Sequence, residues 1–265
     1  MGKKKRWFWV LCLMLFVCLS LPVSAAKKKG ITFDKYLKKG KSYTILIYNC
    51  TQESLTVKYK KSLKSTTMCR LGYGDAVVVD KTKLRKKKRY EWIPVIIQTS
   101  SSSSRTGYVY ARKVTVKKAK LAALKTSRFS TNSTIDRAIK YGMRYLGTPF
   151  LMPGNSMSSG IDCASFVVQC YQAAGKTMTY AHTDSLQAIS RPISKSQLKA
   201  GDLIFYRKED PCVGPIDHVS IYLGEGFVLH ASGHYGDRYP NGGICIKRIN
   251  YGRRLAAMYK RINGF

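Results

Sequence analysis

Two cysteines, Cys163 and Cys170, stand seven residues apart in "DCASFVVQC", and the chain holds four histidines: His182, His218, His230 and His234. A thiol becomes a useful nucleophile when an imidazole takes its proton and later returns it to the leaving group. A second polar group that orients the imidazole completes such a device. His218 and His230 bracket the stretch "HVSIYLGEGFVLHAS", so Cys163, His218 and His230 are the candidate nucleophile, base and orienting residue. Cysteine and two histidines are also zinc ligands, with Asp217 beside His218 as the nearest fourth donor. Their spacing matches no zinc signature, and no metal or other cofactor is expected.

The elements that must position these groups are a helix and a hairpin. Cys163, Phe166, Val167, Cys170 and Ala174 follow a helical apolar period, with Asp162 before them as N-cap and Gly175 as the stop. Cys163 then occupies the first helical position, where free N–H groups and the helix dipole favour a thiolate. Cys170 lies about 10 Å further along the axis. A disulfide needs Cα atoms within about 7 Å, so the two cannot bond, and Cys170 reads as a packing residue. In the hairpin, a three-residue turn at Gly224-Glu225-Gly226 sets His218 directly opposite His230, other turn lengths shifting the match by a residue or two.

Around this pair the chain divides into regions. "MGKKKR", "WFWVLCLMLFVCLSL" and "PVSA" have the order of a secretory signal, residues 1–25, cleaved after Ala25 without leaving a membrane anchor. Residues 26–40 form a basic linker. Within 41–117, "YTILIY", "LTVKYK", "DAVVVD", "WIPVII" and "GYVYARKV" are short alternating runs that predict a small all-β barrel. Residues 118–132 are read as a second linker. In 133–265 the helix "STIDRAIKYGMRYLG", capped by Ser133 and Asp136, and the Cys163 helix precede "DLIFY", "HVSIYLG", "GFVLHAS", "GICIKRI" and "LAAMYKRI". Helices followed by an antiparallel meander predict an α+β domain.

Charge is uneven along the chain, which carries a formal net +33. Residues 26–132 hold 27 Lys+Arg against 5 Asp+Glu, and residues 133–265 hold 16 against 9. In an exported protein that imbalance points to an anionic envelope polymer such as teichoic acid, and no nucleic-acid motif accompanies it. Exported cysteines pair, which makes Cys50–Cys69 and Cys212–Cys245 the candidate disulfides.

The motifs "GIDCASFV", "LKAGDLIFY", "DHVSIYLG" and "FVLHASG" occur in one order over about residues 134 to 262. They resemble the NlpC-type cell-wall cysteine peptidases, a papain-like family, and "TGYVYARKV" resembles the closing strand of bacterial SH3-like wall-binding domains. The resemblance implies a papain-like catalytic domain behind an SH3-like barrel, in a secreted, wall-associated protein. It implies Cys163 as nucleophile, His218 as base and acid, and His230 as orienting residue, acting on peptidoglycan stem peptides at the D-γ-glutamyl–diamino acid bond. Phe150, Asp162, His182 and Asp184 are the substrate-side candidates. The family's usual Tyr before the nucleophile is Phe150 in "TPFLMPGN", with Tyr145, Tyr180 or Asn155 as possible replacements for its hydroxyl. That departure leaves two alternatives: a catalytically impaired wall-binding protein, and an amidase or acyltransferase using the same dyad.

Overall fold

The computed structural model describes residues 30–100, 102–179, 182–208, 214–234, 236–252 and 254–265. The expected signal peptide, Tyr180 and Cys212 lie outside them. The N-terminal half supplies β1 (Tyr43–Asn49), β2 (Leu55–Lys58), β3 (Thr67–Leu71), β4 (Asp75–Val79), β5 (Trp92–Gln98), β6 (Ser104–Tyr110) and β7 (Ala119–Lys125). Helices α1 (Ser133–Arg144), α2 (Cys163–Ala173) and α3 (Thr183–Ala188) follow. Then come β8 (Ser190–Pro192), β9 (Leu203–Lys208), β10 (His218–Gly224), β11 (Phe227–Ser232), β12 (Gly243–Arg248) and β13 (Arg254–Ile262).

These strands make one antiparallel sheet in the order β8-β13-β9-β10-β11-β12-β4-β5-β6-β2-β3, with β1 pairing β4 and β7. The second half has the expected α+β form. β11 is buried at all six positions, because α1 and α2 cover one face and the cluster Ile204, Tyr206, Val228 and Tyr251 lies apart on its own. The two helices meet at Gly142, where an added Cβ would lie 2.8 Å from Cys170 Sγ and from Phe166 Cζ. Cys170 is therefore a core residue, as its helical position indicates.

The N-terminal strands differ from a closed barrel. Among the described residues the ladder ends at β3 on one side and β7 on the other, and the two do not pair. β4 bridges the halves: Asp75 and Ala76 pair with Lys247 and Ile246 of β12, while Val78 and Val79 pair with Ile96 and Val95 of β5. The Tyr239 hydroxyl, which donates to the Ala76 carbonyl at 3.4 Å, adds a side-chain tie across the same seam. The stretch read as a linker over 118–132 contains β7, which matches β1 along seven residues from Tyr43↔Lys125 to Asn49↔Ala119. The basic stretch before β1 likewise carries a single-turn helix, Asp34–Leu37.

Smaller corrections concern caps and thiols. Asn132, not Ser133, caps α1 by accepting from the Thr134 and Ile135 amides at 2.9 and 3.2 Å. Asp136 instead accepts from the Phe129 amide at 2.7 Å and pairs with Lys140. Cys50 and Cys69 are free thiols, one just past the end of β1 and the other inside β3, and Cys245 is free as well. Asp202 shapes the turn into β9 as a buried carboxylate, accepting from the Lys199 amide at 2.6 Å and from Arg261.

Candidate active site

Asp162 caps α2 from the extended region, its carboxylate accepting from the Ser165 amide at 2.8 Å and from the Ser165 hydroxyl at 3.1 Å. That cap fixes Cys163 at the first helical position, where its own backbone N–H has no intrahelical acceptor. The helix packs on β10, and the Cys163 thiol lies against the backbone of Val219, the neighbour of His218.

β10 and β11 turn through Gly224, Glu225 and Gly226, all three left-handed with φ of +94, +54 and +72. Two glycines make that turn accessible. A register shift between Tyr222 and Gly224 leaves Ile221 opposite Leu229, which continues to Ser220 opposite His230. His218 is therefore one same-face step away from His230 rather than directly opposite it. The diagonal still suffices, since side chains two apart share a face of a strand. His218 Nε2 and His230 Nδ1 are 2.8 Å apart, with both rings buried.

The requirement that His218 act as a base selects the tautomers across that contact. Nε2 of His218 is spent on His230, so Nδ1 is the nitrogen left to take the thiol proton. A neutral His218 with Nδ1 bare carries its hydrogen on Nε2 and donates it to Nδ1 of His230. His230 then carries its own hydrogen on Nε2, a buried atom with no hydrogen-bond partner among the described residues. When His218 becomes imidazolium, its bond to His230 becomes charge-assisted and stronger.

The electrostatics differ from the helix-end expectation. Burial pushes the Cys163 thiol up to about 11; the Val219 backbone and Arg254 act downward, and Asp162 acts upward. Burial also holds His218 well below its usual value, with Arg254 and Lys247 adding to it, and His230 likewise. Burial thus favours the neutral thiol and the neutral imidazoles, against the thiolate that the helix start alone would favour. No hydrogen bond joins Sγ to His218 among the described residues; such contacts tighten when substrate enters.

The sequence reading misses Tyr251. Its buried hydroxyl lies 3.1 Å from His230 Nδ1 and also bonds the Ser232 side chain, and its ring stands 4.9 Å from the His230 ring. Asp217, the candidate fourth metal ligand, is instead bound to Arg254.

The substrate-side candidates scatter. Phe150 is half-buried and fixed by its backbone, bridging Ile161 and donating its amide to the Asp237 carbonyl at 2.9 Å. His182 and Asp184 are exposed at the start of α3, where Asp184 accepts from Gln187 at 3.1 Å. Of the candidate replacements for the tyrosine hydroxyl, Asn155 binds Gln169 through its side-chain and backbone oxygens, and Tyr145 shares a hydrogen bond with Tyr141.

A helix-start thiol and a hydrogen-bonded imidazole pair on the adjoining sheet are the parts from which a thiol hydrolase site is built. Comparison with known proteins narrows this class. Residues 147–251 match the model of the NlpC/P60 family, a cysteine peptidase family. The chain is 31% identical over 134 residues to the murein DD-endopeptidase MepH of Escherichia coli, covering 48% of this chain and 47% of that protein. It is 34% identical over 98 residues to the γ-D-glutamyl-L-lysine dipeptidyl-peptidase of Bacillus subtilis, covering 37% of this chain and 32% of the relative. The matches thus span less than half the length of these relatives. Among solved structures, the P60 domain of an M. avium subspecies paratuberculosis antigen aligns with 50% of this chain and 96% of its own, at 24% identity and a TM-score of 0.41.

Proposed function

We propose that the protein is a secreted peptidoglycan endopeptidase that cleaves stem peptides at the D-γ-glutamyl–diamino acid bond, using Cys163, His218 and His230. The observation that carries this reading is the 2.8 Å contact between His218 and His230, which leaves the other His218 ring nitrogen for proton transfer on the strand that packs against the Cys163 helix. The names of the relatives, a γ-D-glutamyl-L-lysine dipeptidyl-peptidase among them, support the substrate class.

In this mechanism the Cys163 thiol gives its proton to His218 Nδ1 while sulfur attacks the scissile carbonyl carbon. The Cys163 backbone N–H stabilises the oxyanion that forms. The C–N bond then breaks, and His218 returns the proton to the departing amine. Water, deprotonated by His218, attacks the thioester; the C–S bond breaks, the acid leaves and the thiol is restored. His230 holds the His218 ring in the required tautomer and shares the transient positive charge.

The basic N-terminal strands serve as the wall-binding part, SH3-like in the Gly107–Val109 strand ending and open to anionic polymers such as teichoic acid. Binding of the Cys163→Ala chain to isolated walls should weaken as salt rises to 0.5 M, where the screening length falls to about 4 Å. Binding indifferent to salt and to removal of teichoic acid would point to peptide recognition instead.

Mass spectrometry of digested muropeptides tests the bond. The reading requires a new amine on the diamino acid and a new free γ-carboxyl on D-glutamate. A cut at the lactyl–alanine amide would make the protein an amidase. No cut at all would favour the impaired wall-binding alternative that Phe150 motivates.

A further inference from the structure

Two cations act on the buried imidazole pair, Arg254 and Lys247, and both disfavour a positive charge there. Each has its own carboxylate. Arg254 is bound by Asp217, which directly precedes His218. Lys247 is bound at 2.8 Å by Asp75, which comes from the N-terminal strand β4. Both side chains of this second pair are buried, 9% exposed for Lys247 and 6% for Asp75. The Lys247 ammonium also donates to the Asn241 carbonyl at 2.8 Å and stands 5.1 Å from the centre of the Tyr251 ring, whose hydroxyl meets His230.

The turn before Asp75 is fitted to the same place. Gly74 is left-handed, with φ of +84, and a Cβ there would lie 2.7 Å from Tyr251 Cβ. Its carbonyl accepts from the Arg248 amide at 2.8 Å, and the Tyr73 carbonyl accepts from the Gly252 amide at 3.2 Å. The segment that carries Lys247 and Tyr251 is thus held by residues 73–75 at Lys247, at Arg248 and at Gly252.

We propose that Asp75 is a positioning residue for catalysis: by binding Lys247 it balances that charge beside the imidazole pair and holds Tyr251 against His230. The N-terminal strands are then part of the catalytic apparatus as well as a route to the wall. The inference rests on the peptidase reading above, in which His218 becomes imidazolium during turnover. Without Asp75, the Lys247 ammonium opposes that imidazolium uncompensated, in a site where little water screens it. The groups facing His218 and His230 from the surrounding elements are Arg254, Lys247, Tyr206 and Tyr251, and the Cys163 thiol lies against the Val219 backbone next to His218. Of these, only Lys247 is substituted in the variants below.

The test compares full-length Asp75→Asn, Lys247→Gln and the double variant on muropeptides, with circular dichroism to measure the folded fraction. Asp75→Asn should lower kcat about tenfold per folded molecule, equivalent to about 1.4 kcal/mol, with KM within about twofold of wild type. Its acid limb in kcat/KM should move to lower pH, because an unbalanced ammonium makes His218 harder to protonate. Lys247→Gln should move that limb to higher pH, by about one unit if the interaction is worth tenfold. The double variant should recover most of the kcat lost in Asp75→Asn. Opposite shifts of one limb are not expected from loosened packing, which scales the rate without choosing a sign. Unshifted limbs in the folded single variants, or a double variant as slow as Asp75→Asn, would overturn the proposal. If Asp75→Asn fails to fold, the upward shift in Lys247→Gln decides alone, and an unmoved limb refutes it. A wild-type chain inactive on muropeptides would instead defeat the peptidase reading on which the proposal stands.

Discussion

Removing His230 separates the roles of the two imidazoles. In His230→Ala, His218 keeps Nδ1 as a base, but its Nε2–H loses the acceptor that now lies 2.8 Å away. Both rings are buried, so water does not freely replace that acceptor. The bond is charge-assisted once His218 is protonated, and a hydrogen bond to a charged group contributes about 1.5–3 kcal/mol; lost from the transition state, at about 1.36 kcal/mol per tenfold, that lowers the rate roughly 10- to 150-fold. His218→Ala removes proton transfer itself, a contribution of roughly 10²- to 10⁴-fold. The expected order is therefore wild type, His230→Ala, then His218→Ala. His230→Asn should fall between the first two, because its amide oxygen offers an acceptor in place of Nδ1. Initial rates of muropeptide cleavage, scaled to the folded fraction, provide the comparison. Equal losses in His230→Ala and His218→Ala would refute the division of labour. A His230→Ala rate within twofold of wild type would show that the contact does not matter.

Two other predictions address the packing and the protonation state. Gly142→Ala should lower the melting temperature, because its methyl enters the space of Cys170 and Phe166 and overpacking costs about 1–3 kcal/mol; an unchanged melting temperature would contradict the tight α1–α2 contact. The pH profile of kcat/KM should keep a plateau well above pH 8.5. The active form needs a neutral His218, depressed by burial, and an intact thiol that ionises only near 11. An activity that collapses between pH 7 and 9 would indicate a thiolate–imidazolium ion pair instead. The same depressed histidines give a sign for stability: the unfolded chain binds protons at these rings below about pH 6.5 and the folded chain does not, so stability should decline as the pH drops through that value.

Much of this site is legible in the chain because its parts are local. Asp162 before a helical apolar period fixes Cys163 at a helix start, and one hairpin holds His218 and His230 within twelve residues. The exact pairing is not legible, since a bulge at the Gly224–Gly226 turn sets the register, yet a two-residue shift preserves the face. Tyr251, Lys247 and Asp75 escape a sequence reading for a different reason. Asp75 meets Lys247 only through the pairing of β4 with β12, which joins residues 172 apart in the chain, and no local pattern encodes it. β7 is hidden by composition: "AKLAALK" is rich in good helix formers, and its strand form comes from seven residues of pairing with β1. The raised thiol is hidden because a helix start is visible in sequence and the burial around it is not.

The most direct test of the central claim is digestion of purified muropeptides by the wild-type chain and by Cys163→Ala, with every product weighed. The account predicts new fragments from the wild type alone, and unchanged muropeptide masses with the variant. Identical fragments from both would mean that the Cys163 thiol is not the nucleophile.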